Sequence, residues 1–538
     1  MQGALDFRDR AKVFASLEAG TFDLLVIGGG VTGAGVARDA AMRGLKVALV
    51  EARDFASGTS SRSSKMIHGG LRYLAQGDLA LVREAASERK AVEAIAPHLT
   101  KLTPFIVPAK NMAGIAKLNA GLWTFEKLGG VAKDRKHETW SREELARQEP
   151  AMRVDDLAGA IVYPEYLTDD ARLTLANVRS ATVYGAVAAN YAPVTELLVE
   201  GGHVVGAVVG DGLGGNGGAR VRAKVVVNAA GPWVDSLRQL EDRGAPKRLA
   251  LTKGIHLALP SAKLPISRTV VISTPDKRSI FAVPKRDMTY IGTTDTFYEG
   301  ADYWPRIETA DVDYLLDAVA ARFTTPRLTY GDLTSAWSGV RPLVAEEGKN
   351  PSDISRKDEI WTGPGEMLSI AGGKLTAYRQ MAQDVVDMVQ KALGGKATKS
   401  VTAKTPLVSG DVNVAAVTQQ LRAEGLSEVE AERLVQLYGS EAPEVVGGPE
   451  AEAKRAVLFE GALRLEDYWV RRSARAWFDH DAGIGALEGA SRVMGELLSW
   501  SDSEREQQVQ HCRSIHETSM SFQSSAHPRE SGDPGFLS

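Results

Sequence analysis

Residues 22–51, FDLLVIGGGVTGAGVARDAAMRGLKVALVE, constrain the fold more than any other stretch of the chain. The apolar run at 24–27 predicts a strand, and Gly28-x-Gly30-x-x-Gly33 a tight turn. Ala34, Val36, Ala37 and Ala40 give the small-residue face of a helix, and 46–50 a second strand ending at Glu51. Each part has a physical task. Gly28 permits the sharp turn, Gly30 lets a diphosphate approach the backbone, and Gly33 lets helix pack on strand. The helix N-terminus supplies amide N–H groups and positive potential, while Glu51 is placed to accept hydrogen bonds from ribose hydroxyls. The unit predicts an α/β domain that binds a dinucleotide, with NAD and FAD both open. No second fingerprint appears downstream, and NAAGPWVD (228–235) ends another strand with small residues, which suits either close approach to a cofactor or an ordinary strand-to-helix turn.

A chain of 538 residues exceeds one core, so two or three domains are expected. Its 64 basic and 68 acidic residues nearly balance, which argues against a nucleic-acid binder held by electrostatics. The one cysteine, Cys512, excludes an internal disulfide and a thiolate metal cluster, so no metal site is expected. Asp6 and Asp9 interrupt the start, unlike a signal peptide, and no run of about 18 apolar residues predicts a spanning helix. Helical periodicity is read at 78–95, 309–323 and within 372–393, and Ser427-x-x-Glu430 is a capping-box pattern. Residues 101–137 read as irregular, basic and aromatic, either a solvated loop or a monotopic membrane contact, with Lys101, Lys110, Lys117, Lys127, Lys133, Arg135 and Lys136 among Phe105, Leu122, Trp123 and Phe125. The Ser/Pro/Gly-rich stretch 519–538 reads as a disordered tail.

Six motifs occur in order: IGGGVTGAGVARDAAMRGLKVALVE, TSSRSSKMIHGGLRYL, NAAGPWVD, IGTTDT, WSGVRPL and AGGKLTAYR. Together they resemble the FAD-dependent aerobic glycerol-3-phosphate dehydrogenases, within the D-amino-acid-oxidase-like flavoproteins; LEDYWVRRSARAW (465–477) more loosely resembles that family's final domain. The resemblance implies an FAD-binding Rossmann-like α/β domain, an inserted β-rich substrate (cap) domain and a helical C-terminal domain. The expected FAD segments are about 20–85, 150–245 and 330–395, the cap segments about 86–149 and 246–329, and the helical domain about 400–515. It further implies oxidation of sn-glycerol 3-phosphate to dihydroxyacetone phosphate by hydride transfer to FAD. Electrons would pass to ubiquinone or menaquinone, in a homodimer bound peripherally to the inner face of the cytoplasmic membrane. The alternatives are an oxidase using O₂ and a related amino-acid or hydroxy-acid oxidase.

Such a reaction needs an anion clamp, a base and a flavin floor. Guanidinium suits the clamp because it meets phosphate oxygens bidentately. Matching the family motifs, Arg72, Tyr73, Arg341, Arg356 and Lys374 are expected to bind substrate, with His256, Arg341 and Lys374 catalytic and His256 the base. Gly28, Gly30, Gly33, Glu51, Ser60, Ser61, Ser64, Lys65, His68, Gly69, Gly70, Ala230, Gly231, Gly373 and Thr376 are expected at FAD. Thr293, Thr294 and Asp295 are expected to orient cap strands.

Overall fold

The computed structural model describes residues 2–68, 79–129, 132, 135–346 and 358–524. Strand Thr21–Ile27 runs parallel to Val47–Val50 on one side and to Gly218–Asn228 on the other. Val187–Ala189 and Leu368–Ala371 extend the parallel sheet outward. Glu359–Thr362 forms an antiparallel edge, and the ribbon of Val194–Glu200 and His203–Gly210 completes the eight strands. The sequence of Gly218–Asn228 shows where this sheet becomes covered. Arg220, Arg222 and Lys224 alternate in solvent with buried Ala219, Val221 and Ala223, and then Val225–Asn228 is buried on both faces.

Helices Val31–Met42, Asp170–Val183 and Tyr378–Ala392 pack together over one face of this sheet. Small residues permit the approach. A Cβ on Gly35 would lie 3.1 Å from the Cβ of Ala382.

The second sheet has ten strands, mostly antiparallel, built around the long strand Leu249–Pro260. Here the expected boundaries shift. Gly159–Leu167, placed in the FAD region from sequence, pairs along its whole length with Lys101–Ala109. Ser335–Val344 likewise pairs along Leu249–Pro260, and Met66–Ile67 joins Gly159–Leu167. The backbone ladders, made by residues far apart in sequence, set these boundaries.

The stretch 101–137 is also more regular than its composition suggests. It contains the strand Lys101–Ala109 and the helix Met112–Gly129. Pro104, a strand breaker by type, faces Pro164 across the ladder, so two residues that cannot donate oppose each other. Ile115, Leu122 and Phe125 bury one side of the helix.

The C-terminal unit is helical, from Val414–Ala423 to Asp502–Ser519. Ser427 Oγ accepts from the Glu430 amide at 3.2 Å, as its cap pattern predicts. The expected tail begins later than its composition implies. Met520 and Phe522 are buried in the core of the second sheet, Phe522 meets Tyr330 edge-on, and Gln523 donates to the Tyr330 carbonyl at 2.8 Å. Residues 525–538 lie outside the described residues. Among the described residues, no helix is long and apolar enough to cross a membrane.

Candidate active site

The carboxyl ends of the parallel strands open into a cavity of about 1480 Å³ that continues beneath the second sheet. Most single-ligand pockets are roughly 300–1,000 Å³, so this one has room for a dinucleotide and a further ligand. Its wall at the strand ends is glycine. Gly28 sits at φ +115°, where an added Cβ would lie 2.5 Å from the Ala229 carbonyl. Gly30 caps the helix Val31–Met42 with no side chain to occupy the first-turn amides; Ser60 Oγ takes only that of Val31, at 2.9 Å. Gly33 lies behind the wall, and a Cβ there would sit 1.9 Å from the Gly28 carbonyl oxygen. Glu51 stands at the end of the second strand and accepts from the amides of Gly29 at 2.7 Å and Arg53 at 2.9 Å. Burial raises its pKa, against the pull of these two amides.

Beneath the second sheet the wall carries Arg341, Lys374 and His68. Arg341 projects from Ser335–Val344 across Gly254 of the neighbouring strand, where an added Cβ would meet Nη2 at 2.1 Å. Its Nη2 donates to Thr293 Oγ1 at 2.9 Å and to the Thr294 carbonyl at 3.3 Å, and its Nη1 pairs with Asp295 at 3.1 Å. Thr293, Thr294 and Asp295, expected only to orient strands, therefore aim the guanidinium as well. The His68 backbone exchanges two hydrogen bonds with Thr376 Oγ1, each 3.2 Å, which ties the 63–68 segment to the turn after Lys374.

His256 is placed differently from the expectation. It is 2% exposed and sits one layer behind the wall, stacked on Trp337 with centroids 4.8 Å apart. Its cross-strand neighbour is Gly292, and a Cβ on that residue would strike the ring at 2.1 Å. Nε2 lies 2.9 Å from Ser64 Oγ, which does line the cavity. Burial, then the charges of Arg341 and Lys65, holds the imidazole well below its usual range, so it is neutral.

Two residues expected at the cofactor lie off the cavity wall. Lys65 is off the cavity wall, in a buried ion pair at 2.6 Å with Asp170, which does line the cavity, and it also donates to the Ser61 carbonyl at 3.0 Å. Ser61 is buried beside it rather than on the wall. A buried ammonium requires a carboxylate, and Asp170 supplies it. Glu51, Ser60, Ser64, His68, Ala230, Gly231, Gly373 and Thr376 all reach the cavity. Gly69, Gly70, Arg72, Tyr73 and Arg356 lie outside the described residues.

Sequence reading missed Arg62. It lines the cavity at 4% exposure, stacked 3.7 Å over the Trp304 ring, with no carboxylate in ion-pair range among the described residues. Burial, then the charge of Arg471, pushes its pKa down to about 9. Gly254 and Gly292 were missed as well; only the strand pairing reveals that they make room for Arg341 and His256.

A dinucleotide cradle opening into a cationic chamber under a second sheet is how a flavoprotein oxidoreductase presents a substrate to its cofactor. Comparison with known proteins agrees. Residues 23–379 match the FAD dependent oxidoreductase family, and residues 400–505 match the C-terminal domain of alpha-glycerophosphate oxidase. The aerobic glycerol-3-phosphate dehydrogenase of Bacillus subtilis (strain 168) is 39% identical, over 94% of this chain and 97% of its own. That of Staphylococcus aureus (strain USA300) is 38% identical over 94% and 96%. The solved glycerol-3-phosphate dehydrogenase from Bacillus halodurans, complexed with FAD, superposes with a TM-score of 0.81 at 33% identity, covering 96% of this chain and 98% of that one. The chain belongs to the aerobic glycerol-3-phosphate dehydrogenases, a family of FAD-dependent oxidoreductases. Its cofactor is FAD, and the side-chain-free wall at Gly28 and Gly30, the open first-turn amides and Glu51 fit that group.

Proposed function

We propose that this enzyme oxidises the C2 hydroxyl of sn-glycerol 3-phosphate to give dihydroxyacetone phosphate, and that its electrons leave to a membrane quinone. The observation that carries the reading is the pair Arg341 and Lys374 on the wall of the cavity that holds the dinucleotide cradle. A carboxylate substrate needs one such partner, whereas a phosphate near two negative charges suits a planar fork and an ammonium together. The relatives' names point to the same substrate. Bound FAD supplies the two-electron acceptor.

Alcohol oxidation also releases a proton. Ser64 Oγ on the wall, 2.9 Å from neutral His256 Nε2, offers it a route: the hydroxyl takes the substrate proton as it passes its own to the imidazole. A bound phosphate offsets the charge of Arg341, which removes part of what holds the imidazole pKa down. Both His256→Gln and Ser64→Ala are expected to slow flavin reduction in single turnovers by roughly 100-fold or more, with substrate affinity little changed. His68 lines the cavity directly. If His68→Gln alone slows reduction, the proton goes there instead.

The acceptor reading rests on the cavity's far end, where Val107, Leu118, Tyr163, Val271 and Phe281 form an apolar wall. Leu118 belongs to the helix Met112–Gly129, whose outer side exposes Met112 at 68% and Trp123 at 55%. Lys117 and Lys127 lie on that side, and Lys127 Nζ sits 3.8 Å over the Trp123 ring. Glu126, which would oppose anionic lipid, is instead buried against His137 at 2.7 Å. Apolar anchors flanked by cations suit peripheral docking at the inner face of the cytoplasmic membrane. Sedimentation should show binding to anionic vesicles that weakens with salt, little binding to neutral ones, and turnover with a soluble quinone. No vesicle binding together with stoichiometric peroxide from O₂ would support the oxidase alternative.

A further inference from the structure

Among the described residues, none beyond Met381 lines the cofactor cavity, so the helical C-terminal unit has no direct part in the site. Yet it grips the segment that follows Glu51. Asp54 is fully buried, three residues beyond Glu51, between the cavity-lining pairs Glu51–Ala52 and Ser57–Gly58. Its carboxylate accepts from Arg472 twice, Nη1 and Nη2 each at 2.7 Å, and from Arg471 Nε at 2.5 Å. The neighbouring connection 190–192 is held by the same unit. Asn190 Nδ2 donates to the Gly461 carbonyl at 2.8 Å and to Asp54 at 3.2 Å, and Tyr191 OH donates to Asp467 at 2.7 Å.

The two connections also bind each other and the fingerprint. The Tyr191 amide donates to the Arg53 carbonyl, that of Ala192 to Glu51, and that of Ala56 to Gly29. A chain of hydrogen bonds thus runs from the first glycine turn, through the 51–57 segment, to Arg471 and Arg472. These arginines belong to Asp467–Arg472, a widened i→i+5 turn. Such a turn narrows the angle between consecutive side chains below the roughly 100° of an α-helix, so neighbours can converge on one carboxylate. Arg472 is fixed in turn by the Glu460 carbonyl at 2.8 Å and 3.1 Å.

We infer that the C-terminal unit is a clamp for the cofactor: Asp54, Arg471 and Arg472 are positioning residues that set the 51–58 segment, so FAD binding and the ordering of 461–472 are coupled. A carboxylate this buried demands its cations, because an unpaired one must protonate or drag the segment toward water. Against the burial penalty, the charges of Arg472 and then Arg471 hold Asp54 below the usual carboxylate range, in keeping with a pair that stays ionised. The inference rests on FAD as cofactor and is independent of the substrate.

Hydrogen exchange of the wild-type holoenzyme against flavin-stripped protein tests the coupling. Exchange should slow on FAD binding both at 51–57 and at 461–472, although the latter touches no part of the cavity. Protection that stops at the lining segments would overturn the clamp. Arg472→Met and Asp54→Asn should raise the FAD dissociation constant, read from released-flavin fluorescence, by roughly tenfold or more, within the usual range for coupled sites. Arg472→Lys, which keeps the charge and loses the fork, should recover part of the affinity. Variants whose melting temperature falls equally with and without flavin, at unchanged FAD affinity, would make these residues merely structural. Should a variant fail to fold, the wild-type exchange pattern decides alone.

Discussion

Gly33→Ala is expected to yield folded protein largely stripped of flavin. The new methyl would stand 1.9 Å from the Gly28 carbonyl oxygen, and neither atom belongs to a side chain that can rotate away. The N-terminus of helix Val31–Met42 must therefore back off the end of strand Thr21–Ile27. The amides that face the diphosphate move with it. A forced backbone shift of this kind costs about 1–3 kcal/mol and occasionally more, so FAD affinity should fall by up to roughly a hundredfold. Flavin absorbance per mole of purified protein reads the effect. Stoichiometric FAD in this variant would mean that the cofactor does not sit on this turn. Gly44, which is at positive φ but has nothing within 4 Å of an added Cβ, is the control away from the cavity; alanine there should leave flavin content unchanged.

Arg341→Ala is expected to lower kcat/KM for glycerol 3-phosphate by about 30- to 5000-fold, the equivalent of roughly 2–5 kcal/mol for one partner of a desolvated, charge-assisted pair. The guanidinium is four-fifths buried and already aimed by Thr293, Thr294 and Asp295, so little ordering remains to be done when substrate arrives. Alanine also leaves Asp295 without this partner beside an incoming anion. Arg341→Lys should retain the charge and lose the fork, falling between the two. A surface arginine would cost at most about 1 kcal/mol, so a loss below roughly threefold would remove Arg341 from the site.

The dinucleotide cradle was legible from sequence because all its parts lie within thirty consecutive residues and each residue type has a local task. The cationic end of the cavity was legible only through motif resemblance, and the structure shows why. Gly254 matters because Arg341 crosses it from the adjacent strand, and Gly292 because His256 needs the space opposite; neither requirement has a trace in local pattern. Lys65 read as a cofactor ligand because its partner Asp170 is 105 residues away. In the same way, basic, proline-bearing composition hid the strand Lys101–Ala109, whose pairing partner begins at Gly159. Phe522, one apolar residue in a polar stretch, offered no periodicity, yet it reaches a core built from the cap. Asp54 lies only three residues beyond Glu51, but its arginines stand more than four hundred residues away.

Oxidation of glycerol 3-phosphate by the bound flavin is tested by an anaerobic titration of the purified yellow protein with sn-glycerol 3-phosphate, followed through the flavin absorbance bands. The bands should bleach with one substrate per flavin, dihydroxyacetone phosphate should appear in equal amount, and glycerol, lacking the phosphate, should leave the spectrum unchanged. Bands that persist with glycerol 3-phosphate but bleach with an amino acid or a hydroxy acid would contradict that activity.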